Sequence, residues 1–349
     1  MQKKKTELSF ASVVLMLLVI FIHVASEFVS NGDRSSPVFA GMLSLHRLSS
    51  FAVQGFIFLS GLKLFLRKDG FSLLRFYAKR ARRVVFPYVI AFAVFYLYFI
   101  YTNRITPSVG GFFRELFSGG LVSHFYFVAI ICQFYLLIPL WRLIAEKASP
   151  TLTLTVSLIL MLILRVYLPE MTRYVFGAEF AYNQRLFTTY LFYFVAGMFA
   201  GKYYDRFREF LSLRRRGILI LFAVIAVIDC FAIWSIETKL AYLSWADMFH
   251  VLYCISAICA LLSLAVKYAE KPKKTDSIIL TLDAASYNVY LIHPLFIFVS
   301  ESLLARMGVA SLSLRLVFRA VFTYVLAIGL CVGIEKIKQC VRKKHRPAD

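Results

Sequence analysis

His23 and Glu27 stand four residues apart inside an apolar run, so a helix puts them on one face. A carboxylate beside an imidazole orients the ring and raises its basicity, which is the arrangement of a general base. The same spacing suits a histidine packed on a neighbouring helix with its hydrogen bond satisfied. Further along, Arg80 and Arg83 lie three apart within Lys79-Arg80-Ala81-Arg82-Arg83. Two guanidinium forks on one helix face could grip a polyphosphate such as that of coenzyme A. A basic loop that only sets topology and touches anionic lipid has the same composition.

Composition decides what kind of helix carries these groups. The chain has 349 residues, 60% hydrophobic and 17% charged, with a mean hydropathy of +0.73. Soluble domains run at about 45–50% apolar and about 25% charged. Those departures exclude a soluble enzyme and a disordered chain. They leave a protein whose solvent is mostly lipid. One helix needs about 20 apolar residues to cross a bilayer core about 30 Å thick. Ten runs approach that length: residues 10–28, 45–65, 84–101, 121–141, 152–168, 186–201, 217–236, 246–266, 278–304 and 312–334. The expected architecture is an all-α membrane protein, with about ten transmembrane helices in one bundle and a single domain over residues 1–349.

Loop lysines and arginines gather on the side that holds the N-terminus. They run from Lys3, Lys4 and Lys5, through the Arg80 loop, to the tail after Lys336, which places both termini in the cytoplasm. The net charge of +21 is then a topology signal, and nucleic acid is not an expected partner. Cys132, Cys230, Cys254, Cys259 and Cys331 lie in apolar runs and no CxxC pair occurs, so neither disulfides nor a metal site are expected. The first run has no cleavage site behind it and is expected to stay as a span.

Ionisable residues inside a bilayer are costly, so each needs a role. With the orientation above, Glu27, His46, Arg47, Arg165, Asp229, Glu301, Arg315 and Arg319 fall in the outer half or at the outer edge. Carboxylates, arginines and histidines at one depth suggest an outward-open polar cavity, suited to a hydroxyl-rich substrate such as a sugar. His293 precedes Pro294 within the ninth run. Proline frees a carbonyl one turn upstream, so His293 either lines a cavity at a kink or satisfies that carbonyl.

Six segments in order carry a resemblance. They are Val19-Ile20-Phe21-Ile22-His23, Val53 to Gly61 ending in Ser60-Gly61, and Phe76 to Tyr88 with Arg80, Arg83 and Pro87-Tyr88. His124-Phe125-Tyr126-Phe127, Tyr193-Phe194-Val195-Ala196-Gly197 and Tyr290-Leu291-Ile292-His293-Pro294 complete the set. The chain resembles the membrane acyltransferase family 3, integral membrane proteins that O-acylate cell-surface glycans and related molecules. The resemblance implies a catalytic role for His23, and the four-residue spacing makes Glu27 its candidate partner. It implies acyl-donor handling by Arg80 and Arg83, with cytoplasmic acyl-CoA, most often acetyl-CoA, as donor and no bound cofactor. The acceptor would be a hydroxyl of a glycan or lipid-linked sugar at a bacterial plasma membrane. His46, Arg47, Tyr126, Arg165, Asp229 and His293 are the candidate acceptor or cavity residues. Two positions depart from the family pattern: Ser12 stands where an arginine is usual, and Tyr126 where a tryptophan is. The tail after Lys336 is too short for the extracellular domain of some members, so a relay would need a separate extracytoplasmic protein or direct transfer. Some members are exporters of exopolysaccharide, so an exporter or flippase without acyl transfer is the rival expectation.

Overall fold

The structure, a computed structural model, describes residues 5–66, 71–177, 183–271 and 274–344. Lys3 and Lys4 lie outside them. The order of elements is α1 (Thr6–Asn31), α2 (Pro37–Ser49), α3 (Ala52–Phe65), α4 (Leu73–Arg80), a π-helical segment (Ala81–Val85) and α5 (Phe86–Tyr101). Then come α6 (Val109–Ser118), α7 (Tyr126–Leu136), α8 (Ile138–Lys147), α9 (Pro150–Phe176) and α10 (Leu191–Lys202). The last five are α11 (Tyr204–Leu213), α12 (Arg215–Glu237), α13 (Ala246–Tyr268), α14 (Asp276–Arg306) and α15 (Leu312–Lys344). No strand occurs among the described residues.

Among the described residues eight helical stretches are long and apolar enough to cross a membrane, and they coincide with eight of the ten expected runs. The fourth run is part of a bent pair, Val109–Ser118 with Ser123–Leu136, which would make a ninth span with a 55° bend. The bend has a local cause. Gly119 closes α6 in the left-handed region, φ +64°, where a Cβ would lie 2.7 Å from the Phe125 carbonyl oxygen. The sixth run differs most. It begins with a 3₁₀ turn, Phe187–Tyr190, which follows another at Asn183–Arg185 and leads into the 12-residue α10. At 1.5 Å per residue α10 alone is about 18 Å long, short of a bilayer core. Its irregular lead-in is held by one amide: Gln133 Nε2 donates to the Arg185 carbonyl at 2.8 Å, and Gln133 Oε1 accepts from Phe187 N–H at 3.0 Å. Non-helical backbone at membrane depth survives only when its polar groups are satisfied in this way.

The chain forms two compact units. One comprises residues 1–56 and 205–349, the other 57–204. In the first, α1 is central and packs on α2, α13, α14 and α15. Val13, Met16, Ile20 and Val24 recur at three- and four-residue spacing along one face of α1. They close a core with Ala285, Val289 and Ile297 of α14 and Ala327 and Cys331 of α15. In the second unit the core is aromatic. Phe134 stacks on Phe194 at 4.2 Å, and Phe125 sets its edge against Tyr88 and Phe95. There the C-terminal half of α3 crosses α10 at backbone contact. A Cβ on Gly197 would lie 2.0 Å from the Phe58 carbonyl oxygen, and one on Gly201 2.3 Å from that of Leu62. Small residues four apart are how membrane helices approach this closely. The outward side chains of α9 and α15, such as Ile159, Ile163, Val317 and Val321, are exposed and apolar, as lipid contact requires.

Candidate active site

Three groupings of polar side chains stand out. In the first unit, α1 presents half-buried His23 one turn before Glu27. The ring of His293, on α14, lies beside that of His23, with centroids 5.2 Å apart. Pro294 has no N–H to give to the Tyr290 carbonyl, and His293 Nδ1 supplies one at 2.8 Å. His293 therefore serves the freed carbonyl and stands next to His23 as well. With Nδ1 donating, the lone pair of the neutral ring is on Nε2. From α2, His46 hydrogen-bonds to the backbone of Ile22, the residue before His23.

Glu27 is bound by two cations from α15. Arg315 reaches one of its oxygens at 2.7 Å through Nη2 and 2.8 Å through Nε, and Arg319 Nη1 donates to the other. Arg319, 2% exposed, also pairs with Glu301 at 3.3 Å and reaches the His23 carbonyl at 3.4 Å. Both oxygens of Glu27 are thus occupied, and its charge is balanced by the arginines. Arg315 and Arg319 tie α15 to Glu27 on α1, and Arg319 also ties it to the backbone of α1 at His23.

A second grouping in the same unit joins α2, α12 and α13. Arg47 grips Asp229 with two bonds, Nε to Oδ2 at 2.8 Å and Nη2 to Oδ1 at 3.1 Å. Asp229 is fully buried, and its Oδ2 also meets His250 Nδ1 at 2.9 Å. The other ring nitrogen, Nε2, lies 2.9 Å from Ser50 Oγ. The Tyr253 ring stacks on His250 at 5.3 Å, and its hydroxyl is tied to the Leu48 carbonyl at 2.6 Å. Asp229 and Arg47 are legible in the sequence as intramembrane charges, whereas Ser50 and His250 are not among the expected site residues. Ser50 caps the C-terminus of α2 at the break before α3, and nothing local distinguishes it from other serines. A histidine near the start of an apolar run is the available signal for His250.

The third grouping lies in the second unit. Pro87 would clash with the carbonyl four residues back, and the π-helical turn at Ala81–Val85 absorbs that conflict. Before the turn, Arg80 is half-buried over the rings of Tyr135, 4.7 Å, and Phe76, 5.2 Å. Its Nε is buried without a hydrogen-bond partner among the described residues. Tyr135 is in turn hydrogen-bonded to Ser60, so two of the quoted segments, those of Ser60 and of Phe76 with Arg80, meet at this tyrosine. Arg83, inside the wider turn, is exposed. Tyr126 is hydrogen-bonded to Tyr190, and Arg165 is exposed on α9. Of the ten expected site residues, the first unit therefore gathers His23, Glu27, His46 and His293 in one place and Arg47 with Asp229 in another. Arg80, Arg83, Tyr126 and Arg165 belong to the second unit.

A cavity of about 590 Å³ opens in the first unit at the α1–α2 loop and the C-terminal end of α12. Arg34, Trp234, Glu237, Thr238 and Lys239 line it. Arg34 lies seven residues beyond Glu27, so the cavity adjoins the same end of α1. Among the described residues no cluster of three or more His, Cys, Asp or Glu side chains is placed to hold a metal ion.

Comparison with known proteins agrees with these segments. Residues 8–336 match the acyltransferase domain of the family called acyltransferase 3. A Bacillus subtilis (strain 168) protein named as a membrane-bound acyltransferase is 24% identical over 308 residues, covering 83% of this chain and 80% of that protein. A Staphylococcus aureus protein named for poly-β-1,6-N-acetyl-D-glucosamine export is 22% identical over 346 residues, covering 97% of this chain and 93% of that protein. No solved structure matches. With a domain match over nearly the whole length of a multi-pass membrane chain, this protein belongs to the membrane acyltransferase family 3.

Proposed function

We propose that this protein transfers an acyl group, acetyl in the simplest case, from cytoplasmic acyl-CoA to a hydroxyl of a glycan or lipid-linked sugar outside the bacterial plasma membrane. The observation that carries the proposal is His23. It sits in a segment that matches the family, beside a second histidine, on a backbone tied by Arg319. His23 takes the proton of the acceptor hydroxyl as that oxygen attacks the acyl carbon, or holds the acyl group itself before passing it on. His293 fixes its own tautomer through Tyr290 and offers a second imidazole for the proton. Arg80 meets the donor phosphates. Its guanidinium lies over two rings, and no carboxylate pairs with it among the described residues. The cavity at Arg34 and Trp234 suits the acceptor, with an aromatic platform and several hydrogen-bonding side chains. Transfer to the acceptor is direct or passes through a separate extracytoplasmic protein.

A second reading rests on the export name of the staphylococcal relative. In it the same cavity passes a glycan chain and no ester forms. Surface glycan analysed by NMR and mass spectrometry separates the two. Cells carrying wild type, His23→Ala or no gene are compared, with membrane insertion of each checked by immunoblot. Esters present only with wild type, on glycan of unchanged amount, support transfer. Less surface glycan without the gene, at constant ester content per chain, would sink the transfer proposal and leave export.

A further inference from the structure

The Ser50–His250–Asp229 chain has the geometry of a nucleophile, its base and the group that orients the base. Ser50 Oγ is 2.9 Å from His250 Nε2, and His250 Nδ1 is 2.9 Å from Asp229 Oδ2. Such constellations are recognised by geometry and not by sequence position. Both ends of this one are fixed. Arg47 holds Asp229 bidentately, and the Tyr253 ring lies nearly parallel to the His250 ring, at 19°. The serine is placed unlike its neighbour. Ser49 is buried and bonds within its own helix, whereas Ser50 is half-exposed where α2 stops. Its hydroxyl has two acceptors in reach, His250 Nε2 and the Arg47 carbonyl at 2.6 Å. Turned to Arg47 the serine is at rest, and turned to His250 it is poised. Position adds a further argument. His46, which touches the backbone beside His23, is one helical turn from Ser50 on the same chain segment, a rise of about 6 Å.

We infer that Ser50, His250 and Asp229 form a second nucleophilic site, in which Ser50 carries the acyl group as an ester during transfer. The identity of the acyl donor rests on the function proposed above, but the nucleophile does not. In the first step Ser50 Oγ attacks the carbonyl carbon of the acyl thioester. The C–O bond forms, the C–S bond breaks, and the hydroxyl proton passes through His250 Nε2 to the leaving thiolate. In the second step an acceptor oxygen attacks the serine ester and gives its proton to Nε2, which returns it to Ser50 Oγ. Asp229 stays ionised and supports the imidazolium in both steps.

A fluorophosphonate probe tests the nucleophile on the full-length protein in detergent, with gel fluorescence for rate and peptide mass for position. The expected result is one adduct on the peptide holding Ser50, absent from Ser50→Ala and about 100-fold or more slower in His250→Gln. No adduct on Ser50 in monodisperse wild type would overturn the inference, as would an equal rate in His250→Gln. Radiolabelled acetyl-CoA tests the relay: an acetyl ester on Ser50, released by hydroxylamine, supports it. Normal glycan acetylation by Ser50→Ala overturns it. A phosphonate adduct on Ser50 with no acetyl on protein or glycan supports the nucleophile and counts against the acyl-CoA donor.

Discussion

Arg319 and Arg80 are both withdrawn from solvent, and the protein compensates them in opposite ways. In the first unit Arg319 meets two carboxylates, Glu27 and Glu301, so its charge is cancelled where it stands. In the second unit Arg80 rests on the faces of Phe76 and Tyr135, with no carboxylate partner among the described residues. Ring faces attract a cation without neutralising it. The first arrangement holds helices together, and the second keeps a positive charge available for an anion that arrives. The two units thus place fixed polar networks in one and an unspent cation among aromatic rings in the other.

Removing a carboxylate from the first network should have the largest effect. Glu27→Ala leaves Arg319 buried with Glu301 as its one carboxylate and leaves Arg315 with the Val309 carbonyl in place of a carboxylate. Breaking a buried pair by deleting one member costs about 3–5 kcal/mol, because the remaining charge is stranded. The expected outcome is a large fall in thermal midpoint for the detergent-solubilised protein, with activity lost. A midpoint equal to wild type would mean that the arginines find water or lipid headgroups and that the network is not what ties α15 to α1.

Gly197→Leu tests the second unit at its closest crossing. Even the Cβ would lie 2.0 Å from the Phe58 carbonyl oxygen, which belongs to backbone and cannot swing away. Overpacking of this kind costs about 1–3 kcal/mol. The melting transition should move down by less than in Glu27→Ala, and Gly41→Leu, with open space at its Cβ, should leave it in place. Equal effects from the two glycines would show that the close crossing of α10 on α3 does not set the loss, since leucine is the better helix former at both positions.

Much of the fold was legible because a bilayer imposes a length and a composition on every spanning helix. Eight runs map onto α1, α2 with α3, α4 with α5, α9 and α12 to α15, with ends shifted by polar residues that continue the helix beyond the apolar stretch. Less legible were the places where glycine and 3₁₀ turns break the regular helix, at Gly119 and at Asn183–Tyr190. The site divides similarly. His23, Glu27, Asp229 and Arg47 were marked by their cost in lipid, and His293 by its proline. Arg315, Arg319 and Glu301 carry the same mark, but which groups pair is not legible, since helix rotation decides whether Glu27 turns to His23 or to Arg319, and spacing along one chain does not fix rotation. Ser50 and His250 are 200 residues apart, and only their meeting makes them notable.

Arg80→Gln asks whether the aromatic-bound cation serves structure or donor. The ring contacts are worth about 0.5–2 kcal/mol, so stability should fall only slightly. KM for acyl-CoA should rise about ten-fold with kcat less affected, as for loss of one charge-assisted contact of about 1.5 kcal/mol. Arg80→Lys should restore part of the effect, because it returns the charge but not the fork. An unchanged KM would remove Arg80 from the donor site and return the basic segment to a purely topological role.

The smallest effect on stability is expected at the cavity. Arg34 and Glu237 pair at 3.4 Å with side chains 50% and 34% exposed. Pairs this wet contribute about 0–1 kcal/mol and weaken further with salt. Glu237→Gln should therefore leave the thermal midpoint within error, whereas Glu27→Ala does not. Its effect should appear in binding, because Arg34 and Lys239 then face the cavity without a balancing carboxylate. An anionic sugar acceptor should show a lower KM at low ionic strength, by a few-fold, and the gain should vanish in high salt. Initial rates with neutral and anionic acceptors at two salt concentrations measure this. If the midpoint fell as far as in Glu27→Ala, an exposed carboxylate would be holding this protein together as firmly as a buried one, and the distinction between fixed and available charge would fail at its simplest point.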